Sequence, residues 1–133
     1  MRQYCADLHI HVGWAQGLPV KITASKKMTL AAILEHGVRV KGLQIMGVVD
    51  CGSPLVLRDI KELLDQEKLF LTRNGDLITE RGAMLLLGVE VESREGIHFI
   101  SYLPNLQSVE AWQKVMQKKI TNPNLSTQRC SLA

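Results

Sequence analysis

The run LQIMGVVD, residues 43–50, is apolar at almost every position. A strand with apolar side chains on both faces needs cover on both, as the central strands of α/β proteins do. The segments on either side read as that cover. From Thr29, a residue type suited to an N-cap, LAAILEHGVRVKG sets Leu30, Ile33, Leu34 and Val38 at helical spacing, and Gly42 follows as a stop signal. SPLVLRDIKELLDQ opens with Ser at the cap and Pro at the first helical position, then turns Leu57, Ile60, Leu63 and Leu64 inward. Residues 4–12 read as an earlier strand, followed by a loop over 13–27. Asn74-Gly75 signals a tight turn, and AMLLLGVEVES and IHFISYLP read as two strands joined by the link REG, a hairpin near residues 84–103. Ser108 reads as the cap of a last helix with Val109, Trp112, Val115, Met116 and Ile120 on one side, and the tail 121–133 has no periodicity. Strand, helix, strand, helix, then strands and a helix is an α/β order, favouring mainly parallel strands in a sheet or part of a barrel.

A chain of 133 residues is one domain at most, and 46% hydrophobic with 22% charged residues excludes a disordered chain. The net charge of +3 is compatible with a nucleic-acid partner without demanding one. No stretch reaches the roughly 18 apolar residues of a membrane helix, so no membrane partner is expected. Arg2, Asp7 and His9 come too early for a signal peptide. Cys5, Cys51 and Cys130 are odd in number and far apart, which points to a reducing, cytoplasmic setting, with Cys130 a bystander at a frayed end.

The first strand carries the unusual chemistry. In YCADLHIHV, Asp7, His9 and His11 occupy alternate positions, with Ala6, Leu8, Ile10 and Val12 between them. Alternation points the three polar groups the same way, the histidines roughly 6–7 Å apart along the backbone. A carboxylate and two imidazoles on one face are metal-ligand types. Three further polar groups interrupt apolar strands: Asp50, followed by Cys51; Glu90; and His98. Burying an isolated charge costs several kcal/mol unless it is paired or binds a cation. Asp50 reads equally as a helix cap, a metal contact or a support for the site. Glu92 shares Glu90's face nearer the turn and reads as solvated, and His36 as a helix-surface residue. Imidazole and carboxylate donors suit zinc, manganese or iron, and a pair of such ions activates water and clamps a phosphate oxygen. The glycine-rich phosphate loops and the G-x-S-x-G nucleophile elbow are absent.

Asp-x-His-x-His on the first strand, an Asp ending the second, GVEVES, and the His of IHFISYLP together resemble the opening motifs of the polymerase and histidinol phosphatase (PHP) superfamily. ADLHIH, KMT, KGLQIMGVVDCGSP and GIHFISYLPNLQSVEAW look most like its endonuclease Q branch. The resemblance implies a distorted (β/α)7 barrel with metal ions at the C-terminal ends of its strands, and phosphoester hydrolysis. It implies zinc or manganese, or else iron or magnesium, and DNA nicked beside deaminated bases or abasic sites. Carried across, His9, His11, Glu90 and His98 become metal ligands, and Asp7 a ligand or the acceptor that fixes a histidine's tautomer. The chain departs from the pattern at Cys51, where many relatives have His, and it has no histidine after His98 for the family's later ligands.

Residues 1–133 are therefore expected to be the N-terminal portion of a PHP-like domain, incomplete on its C-terminal side. An open sheet edge then favours self-association. The expected function of the parent is that of a metal-dependent phosphoesterase, a DNA-repair endonuclease. The alternatives are a small-metabolite phosphatase of the same fold or a non-catalytic binding and assembly module. The 133-residue chain alone is expected to hold a metal ion weakly and to hydrolyse little.

Overall fold

The computed structural model describes residues 1–131. In chain order its elements are β1 (Ala6–Ile10), β2 (Trp14–Ala15), β3 (Leu18–Pro19), α1 (Leu30–Arg39), β4 (Ile45–Val48) and α2 (Pro54–Asp65). They continue with β5 (Leu69–Leu71), β6 (Leu77–Thr79), β7 (Met84–Glu92), β8 (His98–Leu103), α3 (Leu106–Met116) and β9 (Gln128–Arg129). Strands β1, β4 and β7 lie side by side and parallel, forming the spine of a mixed sheet ordered β1-β4-β7-β6-β5. β7 is long enough to serve two sets of neighbours. Its first half lies between β4 and antiparallel β6, and its second half between antiparallel β8 and, on β4's side, Asp50 and β9.

Both early helices form where their local signals place them. Thr29 Oγ1 accepts the Ala32 N–H, and Pro54 occupies the first turn of α2. Leu30 and Leu34 of α1 and Val56, Leu57, Ile60 and Leu63 of α2 pack with Met46, Val48, Leu85 and Leu87 into one core. Burying each such side chain contributes roughly 1.5–3 kcal/mol.

Two glycines of the central strands stand very close to their neighbours in the sheet. A bulge between Asp7 and Ile10 lays the Leu8 backbone over Gly47, where an added Cβ would lie 2.7 Å from the Leu8 carbonyl oxygen. A Cβ at Gly88 would lie 2.9 Å from the Val48 oxygen and 3.2 Å from the Tyr102 ring. The sheet is curled enough that the Tyr102 hydroxyl on β8 donates to the Leu8 carbonyl on β1. The sheet curls but does not close: among the described residues β1 and β5 remain its ends, and no barrel is formed.

Several local expectations are corrected. The loop after the first strand contains the β2–β3 hairpin, turned by Gln16 and Gly17, both at positive φ (53° and 73°) as a two-residue hairpin turn demands. The first strand is shorter than residues 4–12, and Leu8 on its apolar face is 46% exposed, because β1 ends the sheet. Asn105, not Ser108, caps α3, its Oδ1 accepting the Ser108 N–H at 2.8 Å. That choice buries Val109 and leaves Val115 exposed. Ser53 holds the cap position of α2, but its hydroxyl donates instead to the Asn124 carbonyl. The tail is ordered by β9, and Cys130 is bridged to Ile120 rather than frayed. Leu132 and Ala133 lie outside the described residues.

Candidate metal centre

The C-terminal ends of parallel strands are where α/β folds gather functional side chains. Here β1 delivers His9 and, one residue past its end, His11; β7 delivers Glu90; and the turn after β4 delivers Asp50. One donor atom from each of His9, His11 and Glu90 lies within 4.8 Å of the others. His9 Nε2 stands 3.8 Å from Glu90 Oε1, and His11 Nε2 stands 3.5 Å from Glu90 Oε2. His98 Nδ1 lies 3.1 Å from Glu90 Oε1 at hydrogen-bond distance. The Thr127 hydroxyl donates to Oε2 at 3.2 Å. The Glu90 side chain is only 3% exposed. Burial pushes its pKa up, but the His98 hydrogen bond, the charge of His11, the Thr127 hydroxyl and the charge of His9 outweigh that and hold the carboxyl below its ordinary value.

His11 is fixed from behind. Its Nδ1 sits 3.2 Å from both oxygens of Asp50 and 2.8 Å from the Ser126 hydroxyl, while Asp50 Oδ2 also accepts the Val12 N–H at 2.7 Å. An ionised carboxylate only accepts hydrogen bonds, so Nδ1 donates towards Asp50 and Nε2 is the ring nitrogen that faces Glu90. Nε2 and Glu90 Oε2, 3.5 Å apart, are held together by a proton on Nε2 or by a cation between them. The spacing suits a cation. Two donors each 2.0–2.1 Å from a tetrahedral zinc ion stand about 3.3 Å apart, close to the 3.5 and 3.8 Å seen here. Two imidazoles and a carboxylate, with one imidazole tied to a carboxylate behind it, therefore fit a divalent ion.

The remaining residues singled out in the sequence fall elsewhere. Asp7 Oδ1 accepts the His9 N–H of its own strand at 3.1 Å and is not in the three-residue group. Asp50 stands behind His11 rather than in that group. Cys51 is fully buried, and its thiol donates to the Val48 carbonyl at 3.2 Å. Burial, reinforced by the Asp50 carboxylate, raises its pKa far above the ordinary thiol value, so it stays a thiol. His36 is exposed on α1, and Glu92, partly buried, pairs with Arg129 at 3.4 Å. Ser126 and Thr127 went unnoticed in the sequence because the tail carries no periodicity and no metal-ligand type to flag them. No helix among the described residues is long and apolar enough to cross a membrane.

No protein-family model matches the chain. It is 34% identical over 135 residues to an uncharacterised protein of Bacillus subtilis, YqxK, covering 97% of this chain and 35% of that protein. It is 31% identical over 112 residues to an uncharacterised protein of Methanocaldococcus jannaschii, covering 84% of this chain and 11% of that protein. The chain thus spans about a third or less of the curated relatives it matches. Among solved structures it is similar to the lesion-specific endonuclease PfuEndoQ of Pyrococcus furiosus, with a TM-score of 0.74 and 25% identity, covering 97% of this chain and 29% of that one. It is equally similar to endonuclease Q bound to a 27-mer duplex with an abasic lesion at the active site, with a TM-score of 0.73, 25% identity, and 96% and 29% coverage. The curled sheet and its helices are thus the fold of one part of endonuclease Q, a PHP-type fold.

Proposed function

We propose that this chain carries part of the metal centre of a divalent-cation-dependent phosphoesterase, and that the whole protein is an endonuclease nicking DNA at deaminated bases or abasic sites. The observation that supports this most is the group His9, His11 and Glu90 at the strand ends of a fold shared with endonuclease Q. In this reading residues 1–133 form the N-terminal part of a larger barrel-type domain, and the curl that joins Tyr102 to Leu8 begins its closure. His9, His11 and Glu90 would hold the ion, with His98 as a further ligand. Zinc and manganese suit these donors best. A cation held there supplies Lewis acidity, lowering the pKa of water and offsetting charge on a phosphoester. The protein's own groups do the rest. Asp50 holds the His11 ring through Nδ1, and the near-complete burial of Glu90 shields its carboxylate from water.

Two measurements test the proposal. Equilibrium dialysis of the 133-residue chain should show about one zinc ion per chain, abolished in a His9→Ala/His11→Ala double variant. The chain should then be grafted in place of the matching segment of the Bacillus subtilis relative and assayed with Mn on duplexes carrying uracil, hypoxanthine or an abasic site. Lesion-dependent nicking that falls steeply with salt, as counterion release requires, and that vanishes in the double variant is the expected result. Equal nicking by the double variant refutes the assignment. Hydrolysis of small phosphomonoesters without nicking would show a metabolite phosphatase instead.

A further inference from the structure

The tail from Ile120 to Ser131 folds back along the sheet with more hydrogen bonds than a passive end requires. β9 pairs in parallel with Val91 and Glu92, Ser126 N–H donates to the Val20 carbonyl, Cys130 N–H to Glu92, and Ser131 N–H to Lys119. Asn122 Oδ1 accepts the Arg129 N–H, and Ser53 holds the Asn124 carbonyl. These bonds bring Ser126 and Thr127 against His11 and Glu90 of the candidate centre. The Ser126 hydroxyl meets His11 Nδ1 at 2.8 Å, and the Thr127 hydroxyl meets Glu90 Oε2 at 3.2 Å.

Thr127 stands at φ 52°. A β-branched residue avoids this left-handed region, where glycine or asparagine would be at ease. What the threonine has and glycine lacks is the hydroxyl, and that hydroxyl's hydrogen bond is to Glu90. Neither hydroxyl bonds the tail's own backbone; both reach across to the side chains of the candidate centre.

We propose that Ser126 and Thr127 are positioning residues of the metal centre. Ser126 joins Asp50 in directing the His11 ring so that Nε2 faces the ion. Thr127 occupies one lone pair of Glu90 Oε2 and so fixes which lone pair is presented to the ion. The inference rests on the reading of His9, His11 and Glu90 as metal-binding. Groups that orient ligands in this way typically contribute 10–100-fold to metal affinity.

The test uses the 133-residue chain, with zinc affinity measured by competition against a chelator and ligand geometry read from the visible spectrum of the cobalt form. Thr127→Gly suits the backbone and removes only the side chain; Thr127→Ser restores the hydroxyl. Ser126→Ala and Ser126→Thr form the same pair. Thr127→Gly and Ser126→Ala should each lower zinc affinity about tenfold or more and alter the cobalt spectrum, with the metal-free chain still folded. The two hydroxyl-retaining variants should bind as the parent does. If Thr127→Gly and Ser126→Ala bind zinc normally while His9→Ala/His11→Ala does not, the positioning role is overturned and the metal centre stands. Equal loss in the hydroxyl-retaining variants also overturns it, since bulk rather than the hydroxyl would then matter. A parent chain with no histidine-dependent binding overturns both.

Discussion

Gly47→Ala tests how the fold sets the centre's geometry without touching any polar group. The new methyl would lie 2.7 Å from the Leu8 carbonyl oxygen, 2.9 Å from its Cα and 3.0 Å from its carbonyl carbon. A carbon-to-carbonyl-oxygen contact relaxes at about 3.3 Å or more, so the backbones must separate by roughly 0.6 Å. β4 is held between β1 and β7, whereas β1 ends the sheet, so β1 is the strand that yields. Overpacking of this kind costs about 1–3 kcal/mol, and the Tyr102 bond to Leu8 is weakened with it. The displacement carries His9 and His11 away from Glu90, which stays on β7. Metal bonds tolerate about 0.2 Å, so zinc affinity should fall at least about tenfold. Urea unfolding of the metal-free chain and a zinc competition titration measure the two effects. Gly37→Ala is the control: it also overpacks, its methyl meeting the buried Met46 sulfur, but it lies on α1, away from the contact between β1 and β4. That variant should leave zinc affinity unchanged. Stability within about 0.5 kcal/mol of the parent and unaltered affinity for Gly47→Ala would refute the claim that Leu8's backbone rests on a bare glycine.

Other perturbations follow from the same geometry. Asp50→Ala leaves the buried Val12 N–H without its acceptor, at a cost of about 1–3 kcal/mol in urea unfolding, and frees the His11 ring, lowering zinc affinity about 10–100-fold. Cys51 is held as a neutral thiol with its pKa raised above the ordinary 9.0, so its contribution is complete below pH 9.0 and is lost as pH rises beyond it. Above that pH, stability should fall with a slope that Cys51 steepens by up to about 1.4 kcal/mol per pH unit, and Cys51→Ala should flatten it; a thiol reagent should modify exposed Cys5 well before Cys51. Asn105→Ala should cost about 1 kcal/mol as the loss of a helix cap, and Ser108→Ala clearly less; the reverse order in thermal unfolding would restore Ser108 as the cap.

Local signals were enough for the two early helices, for β4 and for the β7–β8 hairpin. Caps, helical spacing and apolar runs act within a few residues, and the main chain responds to them directly. The residue types in Asp7-x-His9-x-His11, Glu90 and His98 were equally visible, because polar groups within apolar strands stand out in any sequence. Their arrangement was not visible. Whether Asp50 touches an ion or stands behind His11 depends on β4 lying between β1 and β7, and on a bulge that no residue near Asp7 announces. Cys51 faces the Val48 carbonyl because the turn after β4 sends Asp50 and Cys51 to different sides. Ser126 reaches His11 across 115 positions and Thr127 reaches Glu90 across 37. The sequence by itself determined the two early helices, the central strands and the chemistry those strands carry, since these depend on side chains and near neighbours. Tertiary structure alone decided which of those groups meet, because sheet order, register and two backbone contacts at glycine act between segments far apart in the chain.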